Sequence, residues 1–161
     1  MLDARRYEAE LRPLLARAGG YARALLGSRH DAEDAVQQAA LRGWERIAQY
    51  DVARPFAGWG FAVLRNCCLD LLRTRKASRT ETLEGFDPPD TREGESFDWA
   101  RLEAGLRLVS PAHREILELK YFADLSYDEI AEALAIPRGT VMSRLHLARK
   151  ALAAHVREHC P

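Results

Sequence analysis

The sequence predicts an all-α protein of two small helical bundles joined by a flexible acidic linker. Ala, Leu, Arg and Glu, which favour helices, dominate both ends of the 161-residue chain. Apolar residues recur there at helical spacing, and the alternation typical of strands is absent. The middle of the chain is acidic and poor in apolar residues. The expected helices lie near 3–18, 20–27, 31–49, 56–76, 97–108, 111–121, 126–134 and 138–157.

The distribution of charge divides the chain into three parts. The chain as a whole carries 24 basic and 24 acidic residues. Residues 1–80 have fourteen basic against nine acidic residues, residues 81–105 have two against eight, and residues 106–161 have eight against seven. We therefore predict one domain over residues 1–79, a linker over 80–96 that cannot offset its ordering entropy, and a second domain over 97–161.

The cysteines and the hydropathy profile exclude several classes of protein. Cys67, Cys68 and Cys160 cannot form a disulfide framework, and reduced, buried thiols are the expectation. His155, His159 and Cys160 could ligate zinc but have no fourth ligand nearby, so no metal or cofactor is predicted. With no apolar run of membrane-spanning length and no signal-peptide pattern, the chain is expected to be cytoplasmic.

The strongest local signal is a helix-turn-helix near the C-terminal end. Ser126 and Glu129 have the spacing of a capping box, which starts a helix. Pro137 suits the first turn of the next helix. That second helix has an apolar stripe at 3.6-residue spacing, formed by Val141, Leu145, Ala148 and Leu152.

The opposite face of this second helix has the composition of a DNA-reading surface. Small polar and basic groups on such a helix can enter a major groove, while flanking arginines reach phosphates. An ordinary helical hairpin with a solvated face is the alternative. The face holds Ser143, His146, Leu147 and Lys150, with Met142 at its edge and Arg144 and Arg149 on the flanks.

The helix expected near 31–49 has two apolar stripes, whereas a surface helix needs one. Composition alone favours burial of both stripes, and a partner surface is the alternative. The first stripe comprises Val36, Ala40, Gly43 and Ile47, and the second comprises Leu41, Trp44 and Ala48, with Gln37 in line.

The next helix combines aromatic and basic residues, as a site for single-stranded nucleic acid does. Rings stack on unpaired bases and cations follow the phosphates. The alternative is that the aromatic residues are core and the basic tail is a solvated helix end. Core is favoured for any single aromatic residue, but not for the combination. The residues are Phe56, Trp59 and Phe61, followed by Arg65, Arg73, Arg75, Lys76 and Arg79.

Taken together, the motifs resemble the extracytoplasmic-function sigma factors of bacteria, which are two-domain promoter-recognition subunits of RNA polymerase. The resemblance runs in order along nearly the whole chain. It rests on Asp31–Gln38 (DAEDAVQQ), Trp59 with Arg65 and Asn66, Asp70–Arg73 (DLLR), Leu125–Glu132 (LSYDEIAE) and Gly139–Leu145 (GTVMSRL).

The resemblance implies a role for each set of residues, together with core RNA polymerase, promoter DNA and a separate anti-sigma factor as partners. The acidic linker would thread the RNA path of the polymerase. Polymerase binding falls on Asp34, Gln37, Gln38, Leu41 and Trp44. Melting and the −10-like element fall on Phe56, Trp59, Arg65, Asn66, Arg73, Arg75 and Lys76. The −35-like element falls on Arg138, Thr140, Met142, Ser143, Arg144, His146, Leu147 and Lys150.

Three residues depart from the family pattern. Gly60 stands where a bulky aliphatic residue is usual, and Met142 and Leu147 stand where basic residues are common. Apolar contact with thymine methyl groups fits the latter two, and so does contact with a protein partner.

Two rival hypotheses stay open beside a sigma factor. One is a helix-turn-helix regulator that acts without polymerase, and the other is a sigma-like decoy for an anti-sigma factor. An enzyme is not expected, because the chain shows no nucleophile–base pair, phosphate loop or metal cluster. The two lobes could be packed together, hiding DNA surfaces, or splayed apart.

Overall fold

The computed structural model describes residues 3–78 and 99–158, and in these residues every regular element is helical. The linker expected over 80–96 lies outside the described residues. The elements are α1 (Ala4–Leu26), α2 (Arg29–Glu45), a 3₁₀ turn (Ile47–Gln49), α3 (Phe56–Ser78), α4 (Trp99–Leu108), α5 (Pro111–Tyr121), α6 (Tyr127–Leu134) and α7 (Arg138–Glu158). We call α1–α3 the N-terminal lobe and α4–α7 the C-terminal lobe.

The N-terminal lobe begins with one continuous helix, α1, so the predicted break between 3–18 and 20–27 is wrong. The Asp3 side chain caps its first turn, and Gly27 ends it in the left-handed conformation at φ 68°. Ala18, Tyr21 and Ala22 are buried on both sides of the glycine pair. Tertiary packing of these residues offsets the low helix propensity of glycine.

Helix α2 ends earlier than predicted. It starts after Ser28, whose side chain accepts a hydrogen bond from the backbone of Asp31, and it stops at Glu45. The rest of the stretch expected to be helical up to residue 49 forms the separate 3₁₀ turn. The aromatic helix α3 begins at Phe56, as predicted.

The C-terminal lobe confirms the helix-turn-helix prediction. Ser126 and Glu129 form both hydrogen bonds of the capping box at the start of α6. Ala135 makes the turn in the left-handed conformation at φ 52°. The predicted stripe of α7 is buried at Val141, Leu145 and Ala148.

The two lobes are packed against each other. Helix α3 lies against α6, and α1 contacts α5. The apolar core runs without interruption from Tyr21 and Phe61 in the N-terminal lobe to Ile116 and Ile130 in the C-terminal lobe. The structure therefore shows the closed one of the two arrangements that the sequence left open.

The two adjacent cysteines are reduced and buried, as predicted. Burial, the neighbouring Cys67 thiol and the Glu118 carboxylate together raise the pKa of the Cys68 thiol to about 12. A thiol with so high a pKa is a poor nucleophile at neutral pH, which fits a packing role. Cys160 and His159 of the conceivable zinc set lie outside the described residues.

Candidate nucleic-acid interface

One face of α2 is open to solvent although it carries large apolar side chains. Leu41 is 60% exposed and Trp44 is 43% exposed. The other stripe faces the lobe interior, where a Cβ on Gly43 would lie 2.5 Å from the Tyr7 hydroxyl. The prediction from composition that both stripes are buried is thus wrong for the second one. The polymerase-binding residues of the prediction, Asp34, Gln37, Gln38, Leu41 and Trp44, are all exposed on α2.

The aromatic residues of α3 differ from one another in accessibility. Phe56 is 7% exposed, and its ring lies 5.4–5.8 Å from those of Tyr7, Tyr50 and Trp59. Phe61 is fully buried and contacts Tyr21 edge-on. Trp59 is half-buried, so among these three residues of α3 its ring is the one that can reach a base. The buried Phe56 ring packs against the Trp59 ring and fixes its position.

Some polar residues of α3 are exposed, and others are paired with groups of the same lobe. Asn66 and Lys76 are exposed. Arg73 donates to Asp70 at 3.1 Å. Arg75 pairs with Asp31 and donates to the Leu26 carbonyl at 3.0 Å, so it ties α3 to the rest of its own lobe. Arg79 lies outside the described residues.

The outer face of α7 presents a cationic surface. No acidic residue occurs between Arg138 and Arg157. Arg138 pairs with Asp128 at 3.4 Å, and the Ser143 hydroxyl donates to the Thr140 carbonyl at 3.2 Å. The remaining predicted residues of this face are exposed or half-buried, namely Met142 (52% exposed), Leu147 (53% exposed), Arg144, His146 and Lys150.

One predicted flanking arginine of α7 has a partner within its own lobe. Arg149 donates to the Tyr121 hydroxyl at 2.7 Å and lies over that ring. The hydrogen bond to Tyr121 favours the charged guanidinium and raises the pKa of Arg149. Tyr121 orients this cation at the edge of the exposed face.

The junction of the lobes holds a polar centre that sequence reasoning did not identify. Glu118 is 1% exposed, and its carboxylate accepts a hydrogen bond from Arg114 at 2.7 Å. Arg114 also donates to the Ala24 carbonyl in the other lobe at 3.4 Å. Burial raises the pKa of Glu118, and Arg114 opposes that rise. The second carboxylate oxygen of Glu118 and the hydroxyl of buried Tyr21 have no hydrogen-bond partner among the described residues.

A signal for this centre does exist in the sequence. Glu118 interrupts the run Ile116–Leu119, whose other members are all buried. A carboxylate inside an apolar run is unusual and requires a partner when it is buried.

The part of the chain that the structure describes contains neither a metal-binding cluster nor a membrane-spanning helix. Within residues 3–78 and 99–158, no group of three or more His, Cys, Asp or Glu side chains could hold a metal ion. None of the helices described is both long enough and apolar enough to cross a bilayer.

The two lobes match two parts of one protein family. The family model for Sigma-70 region 2 matches residues 7–78, and that for Sigma-70, region 4 matches residues 100–152. The chain is 31% identical over 150 residues to the ECF RNA polymerase sigma factor SigW of Bacillus subtilis, covering 83% of this chain and 80% of that protein. The chain belongs to the extracytoplasmic-function (ECF) sigma factors. Such a sigma factor binds core RNA polymerase and directs promoter-specific initiation of transcription.

Other relatives and solved structures agree with this family. The ECF RNA polymerase sigma factor SigL of Mycobacterium tuberculosis is 33% identical over 146 residues, covering 86% of this ECF sigma factor and 81% of the relative. The sigma factor RpoE of Bartonella quintana, solved in complex with the anti-sigma factor NepR, has the same fold. Its TM-score is 0.76 at 24% identity, over 98% of this chain and all of that one. CnrH, solved with the cytosolic domain of CnrY, gives 0.73 at 24% identity, over 98% of this chain and 92% of that chain.

Proposed function

We propose that this ECF sigma factor docks on core RNA polymerase through the exposed face of α2. The observation that carries this proposal is that Leu41 and Trp44 stay exposed side by side, while on the other stripe Gly43 is buried and Val36 is half-buried against the core. Adjacent exposed apolar residues on a rigid helix are typical of an interaction site. Asp34, Gln37 and Gln38 supply polar groups around them.

In the proposed mechanism, each lobe holds one element of the promoter. Helix α7 enters the major groove of the −35-like element, with Thr140, Met142, Ser143 and His146 toward base edges and Arg138, Arg144 and Lys150 toward phosphates. Its cationic, acid-free surface supports this role. Because polymerase fixes the spacing of the lobes, the second contact becomes effectively intramolecular.

Melting at the −10-like element is assigned to α3. Trp59 stacks on an unpaired base, with Phe56 behind it, and the exposed Asn66 receives a base that has left the stack. Arg73, Arg75 and Lys76 lie toward the phosphates at the end of the helix. Capture of unpaired bases offsets the stacking lost from the duplex, so no nucleotide hydrolysis is required. We assign no covalent chemistry to any residue.

Two further expectations follow from the proposed function. The chain works in the cytoplasm, where polymerase and promoter DNA are. Its activity is controlled by a separate anti-sigma factor, in line with the NepR complex of its structural neighbour.

The decisive experiment maps transcript starts made by purified protein, core polymerase and a pool of promoter DNA. We expect transcripts that begin at discrete positions. The amount of these transcripts should fall roughly 5- to 150-fold with Trp59→Ala, because base stacking contributes about 1–3 kcal/mol. Asn66→Ala should also remove them without affecting the stability of the fold, because Asn66 is exposed. Gln49→Ala, an exposed change in the 3₁₀ turn, is the control.

Other results would point to the rival hypotheses. Specific binding to duplex DNA that needs no polymerase would indicate an independent regulator. Failure to bind polymerase or DNA, together with tight binding to an anti-sigma factor, would indicate a decoy.

Arg144→Ala is expected to weaken binding of the polymerase complex to a −35-like duplex. Loss of one phosphate contact should reduce the slope of log affinity against log salt by about 0.9. The matched control is Arg157→Ala in the last turn of the same helix, where Arg157 donates to the Ala153 carbonyl. An unchanged slope for Arg144→Ala would remove this residue from the phosphate contacts.

A further inference from the structure

Three arginines of the N-terminal lobe have their partners in the C-terminal lobe. Arg17 donates to the carbonyl oxygens of Ala123 at 3.3 Å and Asp124 at 3.0 Å. Arg54 donates to the Glu132 carboxylate at 3.2 Å. Arg65, the third, pairs with the Glu115 carboxylate. All three contacts put a cation of one lobe against oxygen atoms of the other.

The accepting oxygens belong to one continuous segment of the C-terminal lobe. Glu115 is on α5, Ala123 and Asp124 form the following turn, and Glu132 is on α6. This segment covers the N-terminal lobe with a row of carboxylate and carbonyl oxygens. A DNA strand offers arginines a similar row in its phosphates, for which the planar guanidinium is well suited.

The covering segment lies in direct contact with the arginine-bearing face. Gly58 and Arg65 are seven residues apart on α3, so they share one face of the helix. A Cβ on Gly58 would lie 2.6 Å from the Glu132 Cβ and 2.7 Å from the Glu129 carbonyl oxygen. DNA therefore cannot reach the stretch of α3 around Gly58 and Arg65 while the lobes are closed.

The contacts of Arg17 and Arg54 are weak enough for DNA phosphates to replace the present acceptors. The Arg54 side chain remains 61% exposed in its ion pair, and exposed ion pairs contribute little to stability. Among the described residues, Arg17 donates to backbone carbonyls, which carry no net charge. A fully charged phosphate is a stronger acceptor for either guanidinium than the oxygen it now holds.

We propose that Arg17, Arg54 and Arg65 form a covered phosphate-binding face of the N-terminal lobe, occupied by α5–α6 in the free chain and by promoter DNA when polymerase separates the lobes. This proposal rests on the proposed function and extends it to Arg17 and Arg54. Both lie outside the set of residues that the sequence motifs identify.

The test compares Arg17→Gln and Arg54→Gln with the wild type in the complete polymerase complex on promoter DNA. Affinity is measured over a series of salt concentrations. We expect each variant to bind several-fold more weakly and to reduce the slope of log affinity against log salt by about 0.9. Arg12→Gln is the matched control, because Arg12 is an exposed α1 arginine that pairs within its own helix with Glu8.

The two possible failures are distinguishable. If the wild-type complex binds promoters and the variants bind equally well or better with an unchanged slope, the arginines serve only to hold the lobes together and the proposal is overturned. If the wild-type complex shows no promoter-specific binding, the proposed function fails, and this inference fails with it.

Discussion

Gly58→Ala is expected to open the lobes of the free chain. The added Cβ would lie 2.6 Å from the Glu132 Cβ and 2.7 Å from a backbone oxygen of α6, and a backbone atom cannot rotate away. Small-angle scattering should give a radius of gyration above the roughly 15 Å of a compact chain of this length. The temperature at which the contacts between the lobes are lost should fall as well.

Gly60→Ala provides a matched control in the same helix. Both substitutions replace a helical glycine by alanine. This exchange stabilises the helix by roughly 1 kcal/mol, because alanine has the higher helix propensity. The Cβ at position 60 meets only the flexible end of Leu14, at 3.2 Å and within the same lobe. We expect Gly60→Ala to stay compact and to gain stability. If Gly58→Ala behaves in the same way, the packing of α3 on α6 does not hold the lobes closed.

Trp44→Ala is expected to weaken binding to core polymerase by at least about 30-fold, because a central tryptophan contributes on the order of 2 kcal/mol or more at an interface. Leu41→Ala should act in the same direction with a smaller effect. Leu41→Ala should change the unfolding midpoint little, because Leu41 is 60% exposed. The Trp44 ring lies 5.5 Å from that of buried Tyr7, so Trp44→Ala is compared at a temperature well below its unfolding midpoint. Affinity can be measured by competition against labelled wild-type protein for a limiting amount of core polymerase.

Val52→Ala is the control for this prediction. Val52 is as exposed as Leu41, at 60%, but lies outside α2. An equal loss for Val52→Ala would indicate a general effect of surface hydrophobicity. Unchanged affinity for Trp44→Ala would place the polymerase contact elsewhere on the molecule.

The parts of the fold that local chemistry decides could be predicted from the sequence. The capping box at Ser126 and the proline at 137 mark the helix-turn-helix, and both act within a few residues. The division of α1 into two helices was wrong because glycine propensity is a local term. The packing that holds the helix together comes from other elements of the fold.

The arrangement of the lobes could not be predicted, because its contacts join residues far apart in sequence. Arg17 on α1 and Asp124 in the turn after α5 are separated by 107 positions, and nothing in the periodicity of the sequence indicates that they meet. The exposure of the second α2 stripe was missed for a related reason. Apolar spacing shows that a face will be covered, and it does not show whether the cover belongs to the same chain.

Glu118 and Tyr21 lower the free-energy cost of separating the lobes. When the lobes part, water can hydrate a carboxylate oxygen and the Tyr21 hydroxyl, both of which are dry and without a donor or acceptor among the described residues of the closed chain. Their solvation offsets part of the unfavourable exposure of the apolar side chains around them. A large assembly that binds each lobe separately therefore has less to overcome than the buried apolar area of the junction alone would require.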